Sequence, residues 1–339
     1  MGALRFGVLS LRALSLRALA LATLLGCSDT TGGSAAELSE DEVRLGELEG
    51  LSFVPSGRTF IGSPLDVGSP VDLLVDRFEV RQVLWDRWVG AGDPVPSVYR
   101  PGASSRDRGP RPLAWTAEVP AVGMTLSEAR SFAELRGLRL PTFDEWLWCA
   151  VGPTCRRTPA GRRQRGFANT LDTDLLRPTP VGSFESGQTP ETGIYDMLGN
   201  VWEWIEPPPD RARSWWRVWN DTAWDDDSAR RAPTWVLGGS FMTQEGPLYT
   251  RGQQLLALAA TEGQRSSEIG FRCCVDADVY LGDLPSGGSL SKPVARRLEA
   301  VGRRWGSRST SLLEELLEAS PNHGWLRALL RGARGKSAQ

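Results

Sequence analysis

Gly193-Ile194-Tyr195-Asp196-Met197-Leu198-Gly199-Asn200-Val201-Trp202-Glu203-Trp204 is the stretch from which this chain is best read. Two carboxylates, Asp196 and Glu203, flank a tight turn, an arrangement that can present side-chain and backbone oxygens together. Taken alone, it reads as an aspartate capping the turn, a solvated glutamate, and Trp202 and Trp204 as core residues. From residue 153 to Phe271 periodicity is poor and Gly, Pro and Trp dominate. That composition predicts long loops around a few short strands.

Regular structure is easier to place upstream. Thr125-Leu126-Ser127-Glu128 and Thr142-Phe143-Asp144-Glu145 each set a hydroxyl at a helix start and a glutamate three residues on. This is the reciprocal capping-box pattern, and the two helices are expected to stop near Gly137 and Gly152. Leu84, Trp85 and Trp88 recur at helical spacing and predict a short helix. Leu51-Ser52-Phe53-Val54 and Thr59-Phe60-Ile61-Gly62 flank Pro55-Ser56-Gly57, a hairpin signal, with a third strand expected over 73–80. Residues 93–120 are rich in Pro, Gly and Arg and read as surface loop.

The chain has 339 residues, 40% hydrophobic and 24% charged, a folded composition with room for one large domain plus extensions. A formal charge of −2 argues against a nucleic-acid partner of the usual basic kind. A single histidine, His323, leaves no multi-histidine metal site and is read as an ordinary surface residue.

At the N-terminus Arg5, Arg12 and Arg17 precede the apolar run 18–25 and then Gly26-Cys27, an export signal. Leu24-Leu25-Gly26-Cys27 resembles the bacterial lipobox, which implies cleavage before Cys27 and its acylation. Residues 1–27 are then the signal and 28–47 a flexible, polar tether. The expected location is the cell envelope, lipid-anchored at the outer membrane or periplasmic face. Export leaves Cys149, Cys155, Cys273 and Cys274 free to form disulfides, and four cysteines permit three pairings. The arginines of 156–165 read as a solvated loop. After Gly282, segments 294–304, 311–319 and 325–331 carry leucines on one stripe, so 283–339 is read as a helical tail distinct from the body.

Several ordered segments resemble the formylglycine-generating-enzyme family, also called the sulfatase-modifying-factor domain. They are Phe60-Ile61-Gly62-Ser63, Arg77-Phe78-Glu79-Val80, Arg139-Leu140-Pro141-Thr142-Phe143-Asp144-Glu145-Trp146, the Gly193 to Trp204 stretch, Gly238-Gly239-Ser240-Phe241 and Gly270-Phe271-Arg272-Cys273. The body they define, 48–282, is by this resemblance α+β: a C-type-lectin-like fold with sparse regular secondary structure. The resemblance implies structural calcium held by the side chains of Asp196 and Glu203 and the carbonyls of Gly199 and Val201. A second site would use Asn169 with Asp172 or Asp174, and a disulfide would join Cys149 to Cys273.

Active members of the family bind copper through two thiolates five residues apart, just after Gly-Gly-Ser. Here those positions are Thr243 and Leu248, and neither side chain offers the soft sulfur that holds Cu(I). The expected function is therefore a non-catalytic binding or scaffolding module of the envelope, with an envelope protein or a glycan as ligand. The alternative is a divergent sulfatase-modifying oxidoreductase with an altered active site.

Overall fold

The computed structural model describes residues 39–60, 66–91, 118–153, 166–215, 218–219, 230–244, 257–286 and 290–335. The signal, Cys27, Cys155, Leu248, the arginine-rich loop and most of 93–120 lie outside them.

Order begins where a tether was expected. Helix α1, Glu40–Gly50, starts with the same capping box seen twice downstream: the Ser39 side chain accepts from Glu42 N, and Glu42 reaches back to the Ser39 N–H. Its acidic residues disguise an apolar face, because Val43, Leu45 and Leu48 are buried. Even Glu47 is buried, held by Arg136 Nη2 at 2.7 Å.

The expected hairpin does not form. Strand β1, Leu51–Val54, pairs with β4, Leu73–Asp76, while β2, Gly57–Phe60, pairs with β3, Asp66–Ser69. All four residues of β1 and all four of β4 are buried. Strands buried on both faces belong in a sheet covered on each side, not in an exposed hairpin. β4 ends at Asp76, short of the expected Val80, and the chain passes through Arg77 to Val80 into helix α2, Gln82–Ala91.

Both remaining capping boxes form. Helix α3, Leu126–Leu135, and helix α4, Phe143–Val151, start at Thr125 and Thr142 with their reciprocal glutamate bonds. Trp85 on α2 packs against Phe132 on α3 and against Phe271 at ring-centroid distances of 5.8 and 5.9 Å.

Between residue 166 and Phe271 the regular elements are short, as the composition predicted: β5, Trp202–Trp204; α5, Asp210–Trp215; β6, Val218–Trp219; β7, Thr234–Leu237; β8, Ala257–Ala260; and β9, Ile269–Phe271. These strands make one sheet in the order β6-β8-β7-β5-β9. β10, Cys274–Asp276, joins the other sheet as β1-β4-β10 and runs into α6, Ala277–Gly282.

Aromatic burial compensates for the scarcity of long elements. Trp146, Trp202, Trp204, Trp235, Trp305 and Trp325 are all fully buried. Each removes about 150–250 Å² from water, roughly 4–6 kcal/mol of gross stabilisation at about 25 cal/mol per Å².

The C-terminal helices are not separate from the body. Helix α7, Lys292–Trp305, packs on α1, on β1 and on α9, Gly324–Arg334, while α8, Thr310–Ala319, closes against α9 and α6. Trp305 Nε1 donates to Leu51 O at 3.0 Å, fastening α7 to the first strand. His323 is buried, contrary to the surface reading. It caps α9, with Nδ1 facing Leu326 N at 3.5 Å and Nε2 3.2 Å from Leu284 O. Among the described residues no helix is long and apolar enough to cross a membrane.

α7 and α9 touch backbone to backbone. A Cβ on Gly302 would sit 2.0 Å from Leu329 O, and one on Gly332 would sit 2.1 Å from Glu299 O. Gly302→Ala would stabilise an exposed helix by about 0.8–1 kcal/mol. Here it is expected to cost roughly 1–3 kcal/mol by overpacking, read as a lower urea midpoint with unchanged slope.

Candidate functional site

The motif turn at 195–204 is held by bonds that reach far along the chain. Asp196 adopts φ 56° and Asn200 φ 61°, left-handed conformations that Asn and Asp tolerate best among residues with a side chain. Gly199 lies between them at φ 76°, where a Cβ would meet Asn169 O at 2.3 Å. Asn200 N donates to that same carbonyl at 2.7 Å. The turn thus sits directly on the backbone of the 167–170 loop.

Glu203, read from sequence as solvated or as a calcium ligand, is wholly buried and paired with Arg272. Arg272 Nε donates to Glu203 Oε2 at 2.7 Å and Nη2 to Oε1 at 2.6 Å. Trp146 Nε1 adds a further bond to Oε2 at 2.7 Å. The remaining Arg272 donors reach Asp76 O and Tyr195 O at 3.1 and 3.0 Å. Sequence reasoning missed Arg272, although the Gly-Phe-Arg-Cys segment that carries it was in plain view.

Two more carboxylates surround this pair. Glu79 accepts from Asn200 Nδ2 at 2.7 Å and from Val201 N at 3.2 Å. Asp196 accepts from Gly182 N at 2.7 Å. Burial pushes the Glu79 carboxyl well up, and the neighbouring charges of Asp196 and Glu203 push it further. Burial likewise raises Asp196 to about 6, against the Gly182 N–H and Arg272, which favour its ionised form. Arg272 is opposed by burial and held up by Glu203, with Glu79 and Asp196 adding to it.

These residues meet around Arg272, which takes up both Glu203 oxygens. Both Glu203 oxygens are occupied by protein donors, and a guanidinium already supplies the positive charge. Among the described residues no group of three or more His, Cys, Asp or Glu is arranged to hold a metal ion. The second expected site is also spoken for: Asn169 Nδ2 donates to Arg177 O at 2.9 Å and Asn200 Oδ1 at 3.1 Å, and Oδ1 accepts from Thr173 Oγ1 at 3.3 Å. Asp172 and Asp174 stand exposed on the adjoining turn.

The Gly-Gly-Ser turn is closed by hydroxyls. Thr243 is buried; its Oγ1 accepts from Ser240 N at 3.0 Å and its carbonyl accepts from Leu171 N at 3.0 Å. Ser240 Oγ donates to Glu268 Oε2 at 2.6 Å. Thr243 therefore ties the turn to the 171–173 segment.

Cys149, Cys273 and Cys274 are free, buried thiols, so the expected Cys149–Cys273 disulfide is absent. Alternation along the strand explains it. Cys273 faces Asp76, Arg136 and Glu47, whereas Cys274 faces Arg139, Glu145 and Cys149. Burial raises all three thiols, Cys149 to about 12, which makes them poor nucleophiles.

A cavity of about 400 Å³ opens between α1, Asp76, the 78–81 segment and Arg136. Its carboxylates already have partners: Glu47 and Asp76 on Arg136, Glu118 on Arg81 and Glu49 on Arg297.

Short sheets around buried tryptophans, two capped helices, and a motif turn wired to Arg272 make this an α+β domain of the sulfatase-modifying type. The family described as Sulfatase-modifying factor enzyme 1-like domain matches residues 35–277, more than half of the chain, and the chain belongs to it. Among relatives, the Hercynine oxygenase of Mycobacterium tuberculosis is 34% identical over 130 residues, 37% of this chain and 30% of that protein. The Inactive C-alpha-formylglycine-generating enzyme 2 of Bos taurus is 26% identical over 181 residues, covering 49% and 54%. The Formylglycine-generating enzyme of Streptomyces coelicolor is 27% identical over 179 residues, covering 48% and 54%. The chain thus spans between about a third and a half of the length of these relatives. Of solved structures, PvdO from Pseudomonas aeruginosa aligns with a TM-score of 0.48 at 21% identity, over 66% of this chain and 93% of that one.

Proposed function

We propose that this protein is a non-catalytic member of its family, acting as a binding or scaffolding module at the cell envelope. The observation that carries the reading is the Gly-Gly-Ser turn. The first position of the copper-binding pair is Thr243, whose hydroxyl is consumed inside the turn, and the second is Leu248, which has no donor atom. Among the described residues Cys149, Cys273 and Cys274 are buried thiols, closed off from solvent, and burial holds each in its protonated form. That one relative bears a name marking it as inactive is in keeping with this reading. The lipobox-like Leu24-Leu25-Gly26-Cys27 supports lipid anchoring at the envelope. Calcium at Asp196 and Glu203 is left out of the proposal because Arg272 already occupies both Glu203 oxygens.

The test is a Cu(I) titration combined with turnover of a Cys-x-Pro-x-Arg peptide. The expected result is no stoichiometric copper and no aldehyde product. Peptide oxidation would replace this reading with that of a divergent sulfatase-modifying oxidoreductase.

A further inference from the structure

Among the described residues the two buried arginines, Arg136 and Arg272, and the half-buried Arg139 are each met by carboxylates. Arg136 faces Glu47 and Asp76, Arg139 faces Glu145 and Asp276, and Arg272 faces Glu203. Among the described arginines without a carboxylate partner, two half-buried ones share a seam. Arg77 follows β4, and its backbone N–H donates to Gly50 O at 2.9 Å. Arg304 closes α7, and its Nη2 donates to the carbonyls of Leu48, Glu49 and Leu51 at 3.2, 2.9 and 2.9 Å. Both guanidinium-bearing residues therefore border the α1–β1 junction from opposite ends of the sequence.

Among the described residues neither arginine is ion-paired with a carboxylate. Nε of each is buried with no acceptor. The nearby carboxylate of Glu49 is held by Arg297 in two bonds of 2.7 and 2.6 Å. Arg77 lies over the Phe78 ring at 5.1 Å and near Tyr195 at 5.9 Å, which fixes its plane without supplying an oxygen. Burial lowers both guanidiniums, and the charge of Arg77 lowers Arg304 further, to about 10. Two like charges held together with unsatisfied donors lack a counter-ion.

We propose that Arg77 and Arg304 form a receiving face for a tetrahedral oxyanion, a phosphate or sulfate group, at the junction of α1, β1 and α7. Guanidinium forks match such groups in geometry and charge. The bound anion would meet the terminal guanidinium nitrogens, relieve the repulsion between the two charges, and tie the α1–β1 junction and the end of β4 to the C-terminal helix α7. Either a soluble phosphate or sulfate ester or the headgroup of an anionic lipid would present this chemistry. Nothing in the proposal depends on the reading of the Gly-Gly-Ser turn.

The experiment is thermal unfolding of the full chain in inorganic phosphate against chloride of equal ionic strength, with dihexanoyl phosphatidylglycerol and dihexanoyl phosphatidylcholine as a second pair. The expected result is a phosphate-specific rise in Tm. Arg77→Gln should weaken phosphate at least about tenfold, the worth of a hydrogen-bonded charge. The Arg77 side chain makes no hydrogen bond whose loss would hinder folding. Arg304→Lys keeps the charge but not the fork, and should weaken phosphate as well.

A shift with inorganic phosphate alone assigns the site to soluble esters, and one with phosphatidylglycerol but not phosphatidylcholine assigns it to a headgroup. Absence of both shifts overturns the proposal. So does a shift of equal size in wild type, Arg77→Gln and Arg304→Lys, which would be the general stabilisation that excluded salts produce.

Discussion

Arg272→Met is expected to cost about 3–5 kcal/mol, the penalty for leaving one member of a buried ion pair without its partner. Arg272 is fully buried, and its removal strands Glu203 beside Glu79 and Asp196 with no cation among them. Domains of ordinary stability have about 5–15 kcal/mol in total, so the variant should be marginal or unfolded at neutral pH. Urea unfolding at pH 7 measures the loss. Two controls separate charge from packing: adding Glu203→Gln should restore part of the stability, and lowering the pH should restore part of it by protonating the stranded carboxyls. A loss below about 1 kcal/mol, the scale of an exposed pair, would mean that the cluster is not held by this bond.

Asp196→Asn should act in the opposite direction. The folded protein raises Asp196 from 3.8 to about 6 because the carboxylate is buried. A carboxyl whose folded pKa is raised favours the native state fully at pH below 3.8, and that advantage is lost as pH rises from 3.8 to 6. Over this window the shift corresponds to about 3 kcal/mol. Asparagine accepts the Gly182 N–H through its own oxygen and tolerates φ 56°. The variant should therefore be more stable than wild type by up to about 3 kcal/mol at pH 7 to 8, with a flatter stability profile between pH 4 and 6. A structural calcium on Asp196 would reverse the sign: Asp196→Asn would then destabilise, and chelator would lower the Tm of wild type alone. Paired urea titrations at pH 4 and pH 8, with and without chelator, decide between the two.

The parts of the fold legible in sequence were those set by neighbours in the chain. Both downstream capping boxes form as read, since each is closed by residues three apart. The same signature at Ser39 and Glu42 is masked by the acidic composition of 35–49, although Val43, Leu45 and Leu48 mark an apolar face. The hairpin at 51–62 failed for the complementary reason. Turn chemistry at Pro55-Ser56-Gly57 is local, but the strand that pairs with β1 is β4, which the turn does not adjoin. His323 shows the limit of composition: a lone histidine in a polar setting became a buried cap through the packing of Leu284 and α9.

In the candidate site, sequence identified the motif turn and the loss of sulfur at Thr243 and Leu248, because residue identity alone excludes a copper ligand. It did not identify what neutralises the carboxylates. Glu203 and Arg272 are 69 residues apart, and Glu79 and Asn200 are 121 apart. Nor could it tell that Cys273 faces Asp76 while Cys274 faces the helix of Cys149.

By itself, then, the amino-acid sequence determined where the capped helices start, which family motifs are present and which donor atoms are missing. The tertiary structure alone decided which strands pair, which arginine answers which carboxylate and which are left without one. The division has one physical cause: caps and donor chemistry are properties of a few adjacent residues, whereas charge compensation in a buried site depends on groups that become neighbours only when the whole chain has folded.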